Sequence, residues 1–210
     1  MKVIGIVSQK GGCGKSQFAQ SLGVLSNENK GLSVIVDTDV QGTVTKWAGR
    51  REAETPMIVE AHTGNLDEVI EAAREEGIKY LWIDTPPHVG AIMHRVVEVS
   101  DLVVVPVRPD PSNLDSVEET WGYVQNARNV MAVINGVPTD TSSDGDDVEA
   151  YLNDSLPDLP VCKVRLHQRK QFWQPHTAGQ AVSEMRTNMV TMKAQGEINA
   201  LWKAIKKELK

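Results

Sequence analysis

The sequence predicts an α/β fold: a single domain, residues 1–210, with a mainly parallel twisted sheet and helices on both faces. Short apolar runs alternate with stretches of helical periodicity, which is the pattern of strands joined by crossover helices. Several of these runs are apolar at consecutive positions, as expected for strands covered on both faces. The 210 residues, of which 40% are hydrophobic and 24% charged, suffice for one globular domain with a sizeable core.

The predicted elements follow from this alternation along the chain. The predicted strands are residues 2–7, 33–36, 57–60, 79–83, 102–107, 130–134 and 161–164. The predicted helices are residues 15–29, 65–76, 91–99, 112–126 and 193–209. The polar, turn-rich stretch 138–147 is predicted to be a solvent-exposed loop. Because parallel strands end on one edge of a sheet, functional groups are expected at their carboxyl ends.

The N-terminus and the cysteines exclude several classes of protein. No window approaches the roughly 18 uninterrupted apolar residues of a membrane span. Residues 2–7 are typical of a buried first strand rather than a signal peptide, so we expect a cytoplasmic protein. Cys13 and Cys162 lie far apart, without a C-x-x-C motif. They argue against a disulfide framework and, unless a dimer pools them, against a zinc or iron–sulfur site.

The stretch S-Q-K-G-G-C-G-K-S-Q follows the first predicted strand and opens the first predicted helix. This is the context of a phosphate-binding loop. Backbone N–H groups at Gly11, Gly12 and Gly14 can turn inward on an anion, and the helix N-terminus adds partial positive charge. Lys15 can reach the β- and γ-phosphates, and the Ser16 hydroxyl is placed to ligate Mg²⁺. The sequence therefore predicts a P-loop NTPase.

The loop resembles the deviant Walker A motif, K-G-G-x-G-K-[ST], of the ParA/MinD group of ATPases. In that group the early lysine, here Lys10, reaches across a dimer interface to the phosphates of the partner's nucleotide. The resemblance implies ATP and Mg²⁺ as cofactors, and a Lys10 that acts in trans much as an arginine finger does. Cys13 completes the cradle at its variable position. Gln17 stands where the group usually has threonine near the α-phosphate, and its amide could replace the hydroxyl as a donor.

Two acidic motifs fit the same group. After the second predicted strand, V-D-T-D-V-Q-G resembles its D-x-D-P-Q switch, with valine where proline is usual. That match implies that Asp39 orients the attacking water and that Asp37 supports the magnesium shell. After the fourth strand, L-W-I-D-T-P-P resembles the Walker B motif and second switch, which implies that Asp84 holds a magnesium-bound water and that Pro86 and Pro87 move when the γ-phosphate leaves. No glutamate or histidine stands out as a general base, so hydrolysis is expected to be slow.

The resemblance covers nearly the whole chain. D-L-V-V-V-P-V-R-P is similar to the strand and proline loop that flank the base in this group, and Asn135 matches an asparagine often found near adenine. The end of the chain, from Q-R-K-Q-F onward, resembles the short plasmid-partition proteins of ParA and ParF type. No helix-turn-helix extension precedes the first predicted strand, which is the pattern of the short subtype.

Charge is distributed unevenly along the chain. Residues 161–210 contain ten lysines and arginines against three acids, a net charge of +7, whereas the whole chain carries −6 and residues 1–160 therefore −13. The leading hypothesis is a DNA-segregation ATPase whose ATP-bound homodimer joins the nucleoid, binding DNA non-specifically through this basic C-terminal surface. A ParB-like centromere-binding partner would trigger hydrolysis and release. The candidate DNA contacts are Arg165, Arg169, Lys170 and the lysines within 203–210.

Other members of the group suggest alternative functions. The last helix places its apolar residues on one stripe opposite lysines, a pattern that can bind membranes as in MinD. These apolar residues are Ile198, Leu201, Trp202, Ile205 and Leu209. Docking of such a helix on its own domain is more common, so membrane binding is not expected. An iron–sulfur carrier would need paired cysteines, whereas another cargo-positioning ATPase or a DNA-transfer accessory ATPase stays open.

Overall fold

Seven parallel strands form one sheet in the part of the chain that the computed structural model describes, residues 1–28, 32–138 and 140–210 (without the side chain of Glu28). The strands are β1 Lys2–Ile6, β2 Ser33–Asp37, β3 Met57–Glu60, β4 Tyr80–Asp84, β5 Leu102–Val107, β6 Val130–Val137 and β7 Leu166–His167. The helices are α1 Lys15–Glu28, α2 Thr43–Ala48, α3 Leu66–Glu75, α4 Ala91–Val99, α5 Pro111–Val124, α6 Asp144–Ser155 and α7 Met192–Glu208. Short 3-10 helices span Lys170–Phe172, Gln174–Ala178 and Val182–Glu184.

The strand order is β3-β2-β4-β1-β5-β6-β7, which puts β1 at the centre of the sheet. Chain connections run to opposite sides of β1, so a crevice opens at its carboxyl end, where ligands of open α/β sheets bind. In the register, Asp84 lies opposite Ile6 on one side and opposite Asp37 on the other. The ends of β1, β2 and β4 therefore bring the glycine loop and two acidic motifs to one place.

Two hydrophobic cores cover the two faces of the sheet. One core contains buried residues of α3, α4, α5 and α6, such as Leu66, Met93 and Leu152. The other contains residues of α1, α2 and α7, such as Phe18 and Trp47. The side chains of β2, β4 and β5 are almost all buried, as the consecutive apolar positions predict. The predicted fold class is confirmed.

Three local predictions differ from the structure. Residues 161–164 are not a regular strand: Val161 forms an isolated bridge with Ala132, and the seventh strand is Leu166–His167. Helix α6 begins inside the predicted loop 138–147, with acids in its first turn that complement the helix dipole. Helix α2 has only six residues and was not predicted. The predicted end of the first helix at residue 29, and residue 139 of the loop, lie outside the described residues.

Helix α7 docks on the domain with its apolar stripe. All five residues of the stripe are buried, and the ring of Trp202 meets Tyr80 edge to face at 4.9 Å between centroids. Because the stripe is packed against β4 and α1, the helix is not a free amphipathic surface, which agrees with the predicted docking. Over the described ranges, no helix combines the length and apolar character that a bilayer crossing needs.

Candidate nucleotide-binding site

The glycine loop connects β1 to α1 in a strained conformation that needs glycine. Gly12 and Gly14 have φ values of 78° and 109°, which other residues rarely adopt. A Cβ at Gly14 would also lie 2.3 Å from Nδ2 of Asn135. That Nδ2 donates a 2.7 Å hydrogen bond to the carbonyl of Cys13. The structure thus places Asn135, on β6, as a support under the cradle, and its amide nitrogen holds the loop backbone.

The ammonium of Lys15 is held by the loop itself. The side chain is buried, and Nζ donates to the carbonyl of Lys10 at 3.0 Å, which also accepts the Cys13 thiol at 3.3 Å. A neutral carbonyl compensates a buried cation only in part. A polyphosphate in the cradle would give this ammonium its missing negative partner.

Lys10 differs from Lys15 in its surroundings. Its backbone N–H donates to the Ser8 hydroxyl at 3.2 Å, which fixes the start of the loop. Its side chain is partly exposed and does not line the cavity over the cradle. Within the described ranges its ammonium has neither an ion pair nor a hydrogen bond. The Lys10 charge is therefore free to meet a group outside its own cradle.

Asp84 lies at the end of β4, fully buried beside the loop. One carboxylate oxygen, Oδ2, accepts the Ser16 hydroxyl at 2.6 Å, and Oδ1 has no hydrogen-bond partner among the described residues. Burial raises the pKa of Asp84 from 3.8 to about 7; the Ser16 hydrogen bond and Lys15 oppose this, and the charges of Asp37 and Asp39 add to it. Lys15 acts on this carboxyl only at a distance, and within the described ranges no cation forms an ion pair with it.

Two oxygens at this end of the loop are suited to bind Mg²⁺: the unpaired Oδ1 of Asp84 and the adjacent Ser16 hydroxyl. Both are hard oxygen donors of the kind that Mg²⁺ takes, alone or through its waters. The cation would supply the charge that buried Asp84 lacks, and it would neutralise phosphate oxygens in the cradle. The residues present therefore fit a magnesium site at this end of the loop.

The two aspartates after β2 have different environments. Asp37 is buried and accepts three hydrogen bonds: from the N–H of Asp39 at 3.1 Å and from the N–H and hydroxyl of Thr45 at 2.9 and 3.1 Å. It thereby caps α2 and shapes the switch loop. Asp39 is partly exposed, accepts the N–H of Gln41 at 2.9 Å and lines the cavity. Asp39 therefore presents a carboxylate to the cavity, and Asp37 holds its backbone N–H.

A cavity of about 380 Å³ lies over the cradle. Eight residues singled out from the sequence line it: Gly11, Gly12, Gly14, Lys15, Ser16, Gln17, Asp39 and Pro87. Cys13, Asp37, Asp84 and Asn135 lie beneath it and hold its walls. The amide nitrogen of Gln17 is buried and has no hydrogen-bond partner in the described part of the chain. It therefore offers a bound nucleotide an unused donor.

Besides Gln41 and Thr43, which also line the cavity, four further residues of the site were not predicted. Phe172, Trp173 and His176, on the segment after β7, form one wall of the cavity. Arg108, after β5, donates to the Gly12 carbonyl at 3.4 Å and brings a second cation to the loop. All four follow the carboxyl ends of strands, which is the one signal that could have found them.

Replacing Asp84 by asparagine is expected to stabilise the nucleotide-free protein at pH 8. The pKa of Asp84 is about 7 in the fold, against 3.8 as an ordinary carboxyl. Folding therefore takes up a proton between these pH values, and stability falls as pH rises from about 4 to about 7. At 1.36 kcal/mol per unit, the penalty above pH 7 is on the order of 4 kcal/mol, and asparagine removes it.

Urea unfolding of both proteins between pH 5 and pH 8, without nucleotide or magnesium, measures this effect. The gain should shrink as pH falls, because Asp84 of the folded wild type becomes protonated below its pKa of about 7 while the unfolded chain stays ionised down to about 3.8. Asp158→Asn, at an exposed site, is the matched control and should show no pH-dependent gain. An Asp84→Asn effect of constant size across this range would contradict the assignment.

The fold and the site define a P-loop nucleotide-binding protein: a glycine cradle with a buried lysine, a hydroxyl and an acid at the end of adjacent strands. The sequence profile described as "CobQ/CobB/MinD/ParA nucleotide binding domain" matches residues 4–182. The chain belongs to this family of nucleotide-binding domains, and it is a ParA/MinD-type ATPase.

Several characterised proteins are similar in sequence. The chain is 26% identical over 130 residues to "Maintenance of carboxysome distribution protein A" of Halothiobacillus neapolitanus, a match that covers 60% of this chain and only 59% of that protein. It is 25% identical over 186 residues to "Protein virC1" of Rhizobium radiobacter, covering 82% and 79%. It is 27% identical over 179 residues to "Sporulation initiation inhibitor protein Soj" of Bacillus subtilis, covering 65% and 71%.

Solved structures of the same fold include three from this group. The MinD cell division protein of Aquifex aeolicus superposes with a TM-score of 0.76 at 16% identity, covering 99% of this chain and 97% of that one. An ATP complex of a McdA variant from Cyanothece has a TM-score of 0.70 at 15% identity, covering 100% and 96%. A plasmid partition protein of Borrelia burgdorferi bound to AMPPNP has a TM-score of 0.66 at 16% identity, covering 97% and 99%.

Proposed function

We propose that this protein is a DNA-partition ATPase of the plasmid type, which acts in the cytoplasm and associates with the nucleoid when ATP is bound. ATP joins two copies through the face that bears the cradle, and the dimer binds DNA without sequence preference. A ParB-like partner on the DNA to be segregated stimulates hydrolysis and releases the dimer. The main observation behind the proposal is that the Lys10 ammonium is unpaired within the described residues, while Lys15 already supplies the positive charge of the cradle.

The two lysines of the loop support an ATP-dependent dimer. The Lys15 ammonium is buried and faces the phosphates of its own cradle, whereas Lys10 is partly exposed and does not line that cavity. In a dimer, the Lys10 ammonium of one copy would bind the phosphates in the cradle of the other copy. There it stabilises the charge that develops in the transition state of hydrolysis. Hydrolysis then depends on assembly.

The basic C-terminal region is less uniform than its composition suggests. Arg165 pairs with Asp146 at 2.7 Å and with Glu149 at 2.5 Å. Arg169 pairs with Glu197 at 2.6 Å and with Asp140. DNA phosphates would have to compete with these acids for either guanidinium. Both are therefore weaker candidates for DNA contacts than the sequence indicated.

The exposed lysines of the C-terminus form a separate patch. We define the α7 lysine patch as Lys203, Lys206, Lys207 and Lys210; all are exposed and, in the ranges the structure describes, none makes an ion pair. This end of α7 lies beside Tyr80 and Val130, the first residues of β4 and β6. The patch is therefore at the amino edge of the sheet, opposite the cradle.

This arrangement separates ATP binding from DNA binding in space. A dimer joined at the carboxyl edges of two sheets carries two lysine patches facing away from the interface. One patch binds a polyanion weakly, but two patches on one dimer bind a long duplex with much higher avidity. ATP-dependent DNA binding thus needs no rearrangement of α7, only assembly.

The DNA proposal is tested by removing charge from the patch. Lys203, Lys206 and Lys207 are replaced together by glutamine, and the matched control is the same charge change at Arg74, Arg95 and Arg128. With ATP, we expect the patch variant to bind random duplex at least about 10-fold more weakly, and its log–log salt slope to fall by up to about 0.9 per lost contact. The control variant should bind like wild type, and both should still dimerise.

A gel shift with random duplex at several salt concentrations measures this binding. Equal binding by both variants, or no shift of the wild-type protein with ATP at low salt, would contradict DNA binding through the α7 patch. Vesicles with anionic lipid, sedimented with the same sample, should leave the protein in solution because the apolar stripe of α7 is buried.

A second candidate is the positioning of a protein cargo. It is favoured by the similarity to the carboxysome distribution protein. The same ATP dimer and DNA surface would serve it, and only the stimulating partner would differ. ATPase assays with a DNA-binding partner, with and without its DNA sites, distinguish partition from cargo positioning. The ATPase activity of a cargo-positioning enzyme would not respond to this partner or to its DNA sites.

A further inference from the structure

Trp173 is an exposed aromatic ring at the rim of the cradle cavity. It is 62% exposed, whereas Trp47, Trp82 and Trp202 are buried and Trp121 is half-buried. Exposure of so large an apolar ring is costly in water, at roughly 25 cal/mol per Å². An exposed ring that lines a concave polar site points to a ligand with an apolar face.

The segment that presents Trp173 is fixed to the domain on both sides. Phe172, the preceding residue, is buried in the core. On the other side, the ring of His176 lies 6.4 Å from that of Trp47, whose Nε1 donates to the carbonyl of Gln180 at 3.2 Å. Trp173 is therefore displayed on a short, anchored stretch rather than on a free loop.

A partly buried ion pair reinforces this anchor. The guanidinium of Arg51 stacks 4.5 Å from the centroid of the Trp47 ring and donates to both carboxylate oxygens of Glu184, at 2.8 and 2.9 Å. It also donates to the carbonyl of Gly179 at 2.7 Å. Bidentate arginine pairs of this kind hold a fixed geometry. The backbone segment that carries Trp173 is thus held in place, which lowers the entropy cost of ordering it on a flat ligand.

The cavity has two chemically different ends. The loop glycines, Lys15 and Ser16 supply donors and positive charge for phosphates, whereas Phe172 and Trp173 supply apolar surface. The segment that carries these rings begins after β7, passes the start of α1 and ends at α2. There the ring of His176 lies near the ring of Trp47, a residue of α2. A nucleoside triphosphate held by its phosphates needs such a surface for its base.

We propose that Trp173 stacks on the adenine base of the ATP bound in its own subunit and determines much of the affinity for the nucleoside. Stacking of a base on an aromatic ring depends on the π-face and not on hydrogen bonds, and alanine substitution at such sites commonly costs about 10-fold or more in affinity. The inference rests on the nucleotide site of the proposed function and is independent of DNA binding.

The test compares two ligands that share the phosphates. Calorimetry is done with ATP and with inorganic tripolyphosphate, each with Mg²⁺, on wild type, Trp173→Ala and Trp173→Phe. We expect Trp173→Ala to weaken ATP about 10-fold or more and to leave tripolyphosphate unchanged. Trp173→Phe should keep most of the ATP affinity, because it retains an aromatic face. Met189→Ala, another highly exposed apolar side chain, is the control and should change neither.

Each other outcome has a distinct meaning. Unchanged ATP affinity in Trp173→Ala would overturn the proposal, and so would an equal loss for both ligands, since it would assign the ring to the shape of the loop. A loss of ATP affinity that appears only as protein concentration rises would place Trp173 at an interface between two copies instead. If wild type bound neither ligand, the nucleotide site itself would fail, which is distinguishable from failure of the stacking.

Discussion

Replacing Lys15 by alanine is expected to abolish ATP binding, with a loss of at least about 100-fold in affinity. Its ammonium is the buried cation of the cradle, and among the described residues its hydrogen-bond partner is the carbonyl of Lys10 at 3.0 Å. Charge-assisted hydrogen bonds contribute about 1.5–3 kcal/mol each, and several phosphate oxygens would lose theirs together. Calorimetry with ATP and Mg²⁺ measures the change.

Lys46→Ala is the matched control for this experiment. Lys46 is exposed on α2, and its ammonium donates to the carbonyl of Gln41 at 2.8 Å, outside the cradle. Its loss should leave ATP affinity within about twofold, as for most surface changes. Near-normal ATP binding by Lys15→Ala would contradict the placement of the phosphates in the glycine loop.

Replacing Lys10 by alanine is expected to leave ATP binding to the monomer intact and to reduce hydrolysis at least about 100-fold. The physical reason is that its ammonium does not line its own cavity, whereas cationic groups supplied in trans to phosphoryl transfer contribute factors of about 10³–10⁵. ATPase rates and calorimetry on the same samples separate the two effects. Weak ATP binding by the monomeric variant would assign Lys10 to its own cradle.

Mixing two inactive variants decides whether Lys10 acts in trans. In a mixed dimer of Lys10→Ala and Asp39→Ala, the first subunit keeps its own Asp39 and receives Lys10 from its partner. One of the two sites is then complete, so the mixture should regain a substantial fraction of wild-type hydrolysis. If Lys10 acted in its own subunit, neither site would be complete and the mixture would stay inactive.

Much of the site could be predicted because its parts are local motifs on parallel strands. The glycine loop needs only the order strand, glycines, lysine and helix, which is readable along the chain. Asp37 and Asp84 follow different strands, but any parallel sheet brings strand ends together, and the register indeed sets them opposite each other. Residues that are far apart in sequence become neighbours here because their strands are adjacent in the sheet.

The rest of the site depends on contacts between distant parts of the chain. Helix α2 is too short to show a periodicity, and its cap comes from Asp37, eight residues before Thr45. Trp173 reaches the cavity because Trp47 and Arg51 fix the segment after it, a contact between residues more than 120 positions apart. No periodicity or composition contains that information.

The net charge of residues 161–210 does not show which of its basic side chains are paired. The +7 of residues 161–210 does not reveal that Arg165 and Arg169 meet acids such as Glu149 and Asp140, which belong to the acidic part of the chain. Burial and pairing of each charge, and not the sum, decide which cations can meet DNA. The lysines within 203–210 were already candidates from the sequence, and the structure adds that within the described ranges they make no ion pair.

The proposed function requires that ATP joins two copies through the cradle face. Light scattering tests this on Asp39→Ala, which retains Lys10 and Lys15 and lacks the carboxylate that we propose orients the attacking water. With ATP and Mg²⁺ its mass should double relative to the nucleotide-free sample, and Lys15→Ala, measured alongside, should stay at the mass of one chain. A single unchanged mass for Asp39→Ala at saturating ATP would contradict the account.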